Sequence, residues 1–139
     1  MTVVDASVAL KWFFPELGQP EARRLRDSGG PLAAPALIRV EVAAAIAGKV
    51  RFQEVDPLEA EVAIKLWDQY IAEGVVTLLP DEAHLPEAFR LAIALQHPLQ
   101  DCLYLAAAKH HGVPLVTADE KFAAKARASY PNIRLLSEL

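Results

Sequence analysis

A chain of 139 residues, 53% of them hydrophobic and 23% charged, has the size of one ordinary domain and too much apolar character to be disordered. Its mean hydropathy is +0.20, yet its longest apolar run, the alanine-rich stretch after Glu41, falls far short of the ~20 residues that cross a bilayer, which excludes a membrane span. The net charge of −4 and a pI near 5.5 exclude a broad basic face for nucleic acid, although two divalent ions in an acidic pocket would bring the charge to zero and make the pocket attract phosphate.

We therefore expect a single domain over residues 1–139. The lone cysteine, Cys102, rules out an internal disulfide, and a reducing compartment fits. The residues before Asp5 carry no basic stretch and no small-residue cleavage site, so the start does not read as a signal peptide. The expected location is the cytoplasm.

In chain order, TVVD opens as a short β-branched strand ending in an acid, and SVALKWFF follows with helical spacing and Ser7 placed to cap. PEARRLRDS, residues 20–28, reads as a polar helix with proline in its first turn and Gly29-Gly30 at its end. A short apolar piece at 32–34 leads through Pro35 into a helix over 36–50. The clearest amphipathic helix covers 57–73, with Leu58, Val62, Leu66 and Tyr70 at four-residue intervals. VVTLL at 75–79 reads as a buried strand, followed by helices over 82–96 and 99–111, the latter closed by Gly112. A strand at 114–118, a helix at 120–129 and a last strand at 133–136 complete the chain. Apolar strands alternating with helices specify an α/β domain of three layers, its central, mostly parallel sheet of about five strands flanked by helices.

Ligands in such sheets sit beyond the carboxyl ends of the strands, near the point where strand order reverses. Asp5 and Asp119 stand at the ends of the first and fourth strands, opening on one edge, although each also suits the cap of the helix that follows. Glu41 shares its helical face with Ala44, Ala45 and Gly48, a small apolar stripe on which a carboxylate needs a metal or a basic partner. Asp101 lies in a first helical turn, where the helix dipole favours an acid, on a face with Tyr104, Leu105 and Ala108. A cluster of oxygen donors suits hard cations such as magnesium or manganese. Without a cation the like charges would raise one another's pKa and destabilise the fold.

These segments resemble the PIN-domain ribonucleases, and most of all the VapC toxins of toxin-antitoxin pairs. VVDASVALKWFFPE carries the first acid, Asp5, with Ser7 close behind; ALIRVEVAAAI carries Glu41; LQDCLYLAAA carries Asp101; LVTADEKF carries Thr117 and Asp119. Four segments in order, spread over essentially the whole chain, make the likeness specific. It implies a metal-dependent ribonuclease using Mg2+ or Mn2+, with Asp5, Glu41, Asp101 and Asp119 catalytic. Asp5, Asp101 and Asp119 would be metal ligands, with Ser7 and Thr117 in support. It also implies an RNA substrate, a homodimer and a protein antitoxin that covers the acidic pocket. One departure is Ala44, where many relatives carry asparagine three residues after the glutamate; its loss puts the orientation of Glu41 in question.

Other residues fit bland roles. His84, His97, His110 and His111 form no spaced pair on one helix face, and solvated helix ends are the expected place for them. Trp12, Phe13 and Phe14 cannot all point inward from one helix, so at least one is expected at a partner surface. Lys49, Arg51, Lys121 and Lys125 are available to guide RNA. The alternative functions are a non-catalytic module of the same fold that binds RNA or protein, and a magnesium-dependent phosphoryl-transfer domain. A haloacid-dehalogenase-like phosphatase would place a second aspartate where this chain has Ser7, and a receiver would close its last strand with lysine, where IRLL meets serine.

Overall fold

Short β-branched and apolar runs form the five strands of a computed structural model that covers residues 1–139: β1 Thr2–Val4, β2 Leu32–Pro35, β3 Val76–Leu79, β4 Leu115–Thr117 and β5 Ile133–Leu135. Their spatial order is β3-β2-β1-β4-β5, and every neighbouring pair is parallel. The chain runs outward from β1 to β3 on one side, then returns to place β4 on the other side of β1. Strand order thus reverses between β1 and β4, where Val3 pairs with Leu115 and Val4 with Val116. The Asp5 amide continues that ladder to the Val116 carbonyl at 3.4 Å, which sets Asp5 beside Thr117 at the carboxyl edge.

Seven helices flank the sheet: α1 Ala6–Leu10, α2 Gln19–Asp27, α3 Ile38–Arg51, α4 Pro57–Ala72, α5 Asp81–Leu95, α6 Leu99–His111 and α7 Glu120–Ala126. Helix α6 crosses the middle strands β1, β2 and β4 and packs along α5, so Cys102–Ala108 are all buried in succession. A helix covered on both sides shows no polar face, which is why its sequence carries little amphipathic period. Elsewhere the expected elements and the observed ones agree within a few residues.

Three local expectations are corrected by the structure. Asp5, not Ser7, is the N-cap of α1: its side chain accepts the Val8 N–H, and Ser7 lies inside the first turn. Helix α1 stops at Leu10, so Trp12, Phe13 and Phe14 sit in turns rather than on a helix and all pack inward. Trp12 is 1% and Phe14 5% exposed, while Phe13 is only partly buried. On α4 the buried positions are Ala63 and Trp67, while Leu58 and Val62 stay exposed. The indole of Trp67 meets Trp12 at 6.3 Å and Phe13 at 6.0 Å between ring centres. Burying the largest side chain on the helix outweighs burying two aliphatic ones, and α4 rotates accordingly.

Candidate metal centre

The β1–α1 junction places Asp5 with 6% of its surface exposed. Its Oδ1 accepts from Ser7 Oγ at 2.5 Å and from the Val8 N–H at 3.3 Å, and its Oδ2 accepts from the Thr117 hydroxyl. Burial nonetheless pushes the Asp5 carboxyl up to about 6; the three donors oppose that rise, and the Asp101 charge adds to it. Thr117 Oγ1 in turn accepts the Asp119 N–H at 3.1 Å, and Ser7 Oγ accepts the Ala118 N–H at 3.0 Å. These bonds tie the ends of β1 and β4 together through their side chains.

Asp119 caps α7, accepting the Phe122 N–H at 3.0 Å with Oδ1. Its place at a helix start and its place in a cluster are compatible, because a carboxylate has a second oxygen and further lone pairs. Carboxylate oxygens of Asp101 and Asp119 and a ring nitrogen of His97 lie within 4.8 Å of one another. His97 Nε2 is 2.7 Å from Asp101 Oδ2, and the ring stacks on Phe122 with centres 4.8 Å apart. Its side chain is 8% exposed, so the expectation of a solvated helix end is corrected. Gln96 adopts a left-handed conformation (φ 50°) between α5 and α6 and turns the chain so that His97 faces the first turn of α6.

Glu41, half-buried on α3, is met by neither lysine nor arginine. Tyr104 donates its hydroxyl to Glu41 Oε1 at 2.6 Å. Burial, then the charges of Asp101 and Asp81, holds Glu41 above the usual carboxylate range. The Tyr104 phenol is pushed upward by burial and by Glu41, so it stays protonated and keeps donating. Ala44 is exposed and offers Glu41 nothing, which leaves the tyrosine as its one side-chain partner.

Of the four expected acids, Asp101 and Asp119 share a cluster with His97, while Asp5 and Glu41 lie outside it and are reached by the Asp101 charge. The Asp101 charge raises both Asp5 and Glu41, and its oxygen shares a small volume with Asp119. No lysine or arginine pairs with any of the four. Two carboxylate oxygens with an imidazole beside them are a donor set that could hold a divalent ion, with the buried Asp5 and half-buried Glu41 carboxyls nearby. The sequence reading missed His97 and Tyr104. His97 precedes Asp101 by four residues and Tyr104 follows it by three, a signal that a search for paired histidines passes over.

Of the basic residues considered for RNA, Lys49 is committed elsewhere. Its Nζ contacts Glu16 at 3.0 Å and Glu54 at 3.4 Å above the Phe14 ring, so that expectation is corrected. Arg51 stacks on Phe52, whereas Lys125 lies at the site, bonded to the Gln96 carbonyl at 3.1 Å. Cys102 is buried, and its thiol is pushed up to about 11 by burial, which makes it inert packing.

A five-stranded parallel sheet flanked by helices, with Asp5 at its strand-order reversal and an acidic cluster beside it, defines the class as an α/β domain with an acidic carboxyl edge. A family model for the PIN domain matches residues 2–128, and the chain belongs to that family. No curated protein sequence matches it as a relative. Among solved structures it is similar to FitAcB from Neisseria gonorrhoeae, with a TM-score of 0.73 and 17% identity over 100% of both chains. It is similar to Mycobacterium tuberculosis VapC20, a toxin that cleaves the sarcin-ricin loop, with a TM-score of 0.66 and 18% identity over 89% of this chain and 94% of that one. A toxin-antitoxin complex from Klebsiella pneumoniae gives a TM-score of 0.64 and 17% identity over 100% of both chains.

Proposed function

We propose that this protein is a metal-dependent endoribonuclease that hydrolyses RNA phosphodiester bonds as the toxin of a toxin-antitoxin pair in the cytoplasm. The observation that supports the reading is an acidic edge on which Asp101 and Asp119 lie within 4.8 Å of one another and of His97. The Asp101 charge reaches Asp5 and Glu41, and no lysine or arginine pairs with any of the four acids. Membership of the PIN family and the likeness to VapC20 and to toxin-antitoxin complexes support it.

In this reading Asp5, Asp101 and Asp119 hold Mg2+ or Mn2+, and a bound ion supplies an acidified water and charge neutralisation at the scissile phosphate. Ser7 and Thr117 fix both oxygens of Asp5, and His97 fixes Asp101. Tyr104 holds one oxygen of Glu41 and leaves the other to orient the attacking water and take its proton. The elevated Glu41 pKa makes it a stronger base than an ordinary surface glutamate. The proposal includes a homodimer and a protein antitoxin whose covering segment brings a basic side chain to the unpaired acids.

The test is incubation of the purified protein with structured RNA and manganese, with and without chelator, beside Asp119→Asn. Cleavage that chelator and the substitution both abolish is the expected result. Metal-independent RNA binding without cleavage would instead identify a non-catalytic module and sink the proposal.

A further inference from the structure

Away from the acidic edge, the start of α5 and the end of α6 bring three histidines together. Ring centres lie 5.3 Å apart for His84 and His110, 5.9 Å for His84 and His111, and 5.0 Å for His110 and His111. His84 is 5% exposed, whereas His110 and His111 are exposed. No fully buried side-chain nitrogen or oxygen in the protein is orphaned, and neither His84 nitrogen bonds to another group of the chain, so they open onto an adjoining depression of about 310 Å3. Glu87, one turn after His84, lines the same depression.

We propose that His84, His110 and His111, completed by Glu87, bind a borderline transition ion such as Zn2+ at a second site separate from the acidic centre. The spacing argues for it. With a metal–nitrogen bond of ~2.1 Å, an imidazole centre stands ~3.2 Å from the ion, and two such rings at the tetrahedral angle are ~5.2 Å apart. The three observed separations bracket that value. The histidine nitrogens do not converge as the ligand atoms of the acidic cluster do, so this binding mode requires the exposed His110 and His111 rings to turn towards buried His84. Imidazole donors select Zn2+, Ni2+ or Co2+ over the hard cations that carboxylates favour.

Local charge agrees with this assignment. Burial, then His110 and His111, holds His84 below the usual imidazole range against the opposing pull of Asp81, so its ring is neutral and able to ligate. Glu87 is shared between Arg90 at 3.1 Å and Lys109 at 3.6 Å, exposed pairs that exchange readily for a metal. The bound ion would fasten α5 to the carboxyl end of α6, the helix whose first turn carries Asp101.

The experiment is titration of the full-length protein with Co2+, read by visible absorption, in wild type, His84→Gln, His110→Gln and Asp119→Asn. Tetrahedral nitrogen ligation gives intense bands, and the oxygen-rich acidic centre gives weak ones. We expect intense bands in wild type and Asp119→Asn, and affinity about tenfold or more weaker in each histidine variant. Intense bands that survive in both histidine variants, vanish in Asp119→Asn, or never form in wild type overturn the site. Should His84→Gln fail to fold, exposed His110→Gln decides the question.

Discussion

Replacing Asp5 with asparagine in metal-free protein should stabilise the fold at neutral pH while destroying the centre. Burial lifts the Asp5 carboxyl from 3.8 to about 6, and at ~1.4 kcal/mol per pH unit the ionised group costs the folded state about 3 kcal/mol. Because the folded pKa is the raised one, the folded state binds the proton more tightly. Stability therefore increases as pH falls through 6 and levels off below 3.8. Between about pH 7.5 and about pH 5 this group alone gives wild type about 1 kcal/mol. The carboxamide cannot ionise, so it escapes the cost, while turning one acceptor towards Ser7 or Thr117 into a donor loses about 1 kcal/mol. The net gain near neutral pH is about 2 kcal/mol. Urea denaturation in chelator at the two pH values measures both quantities. Glu41 is also raised, but it contributes to both proteins and cancels in the comparison. Equal pH dependence in wild type and Asp5→Asn, or a variant less stable than wild type at neutral pH, would refute the reasoning.

Tyr104→Phe removes the 2.6 Å donor to Glu41 and should lower kcat by ~10 to 100-fold, with KM unchanged and stability reduced by only about 1 kcal/mol; steady-state cleavage and urea melts check this. His97→Gln frees Asp101 and should weaken Mn2+ binding by about tenfold in calorimetric titration, with an unchanged affinity counting against a positioning role. Trp67→Ala empties the space between α4 and the Trp12–Phe13 pair and should cost ~3 to 5 kcal/mol in unfolding free energy without altering metal affinity.

Much of this architecture was legible because its signals are local. The strands Thr2–Val4, Leu32–Pro35, Val76–Leu79, Leu115–Thr117 and Ile133–Leu135 declare themselves by short apolar runs, and Gly74 and Gly112 mark helix ends with left-handed backbone that glycine adopts freely. The positions of Asp5 and Asp119 follow from the same grammar, since an acid that ends a strand and begins a helix must lie at the carboxyl edge. Glu41 and Asp101 stood out as acids on apolar helical faces, and their facing one another followed from the resemblance rather than from periodicity.

The errors come from places where packing overrules a pattern. Leu58 and Val62 keep perfect spacing yet face solvent, because the Trp67 indole buries more surface against Trp12 and Phe13. The aromatic run at 12–14 has helical spacing, yet the helix ends at Leu10, and from the turn that follows all three rings pack against the core.

Sequence alone determined the α/β alternation, the five strands and four acids at positions where a carboxylate needs a reason to be. Tertiary structure alone decided which groups meet those acids and which meet the histidines. His97 on Asp101, Tyr104 on Glu41, Thr117 on Asp5 and His84 beside His110 and His111 are contacts whose existence depends on how α5, α6 and β4 are laid against the rest. The physical reason is that hydrogen bonds and ligand sets act over ~3 Å in space, a distance on which order along the chain places no limit.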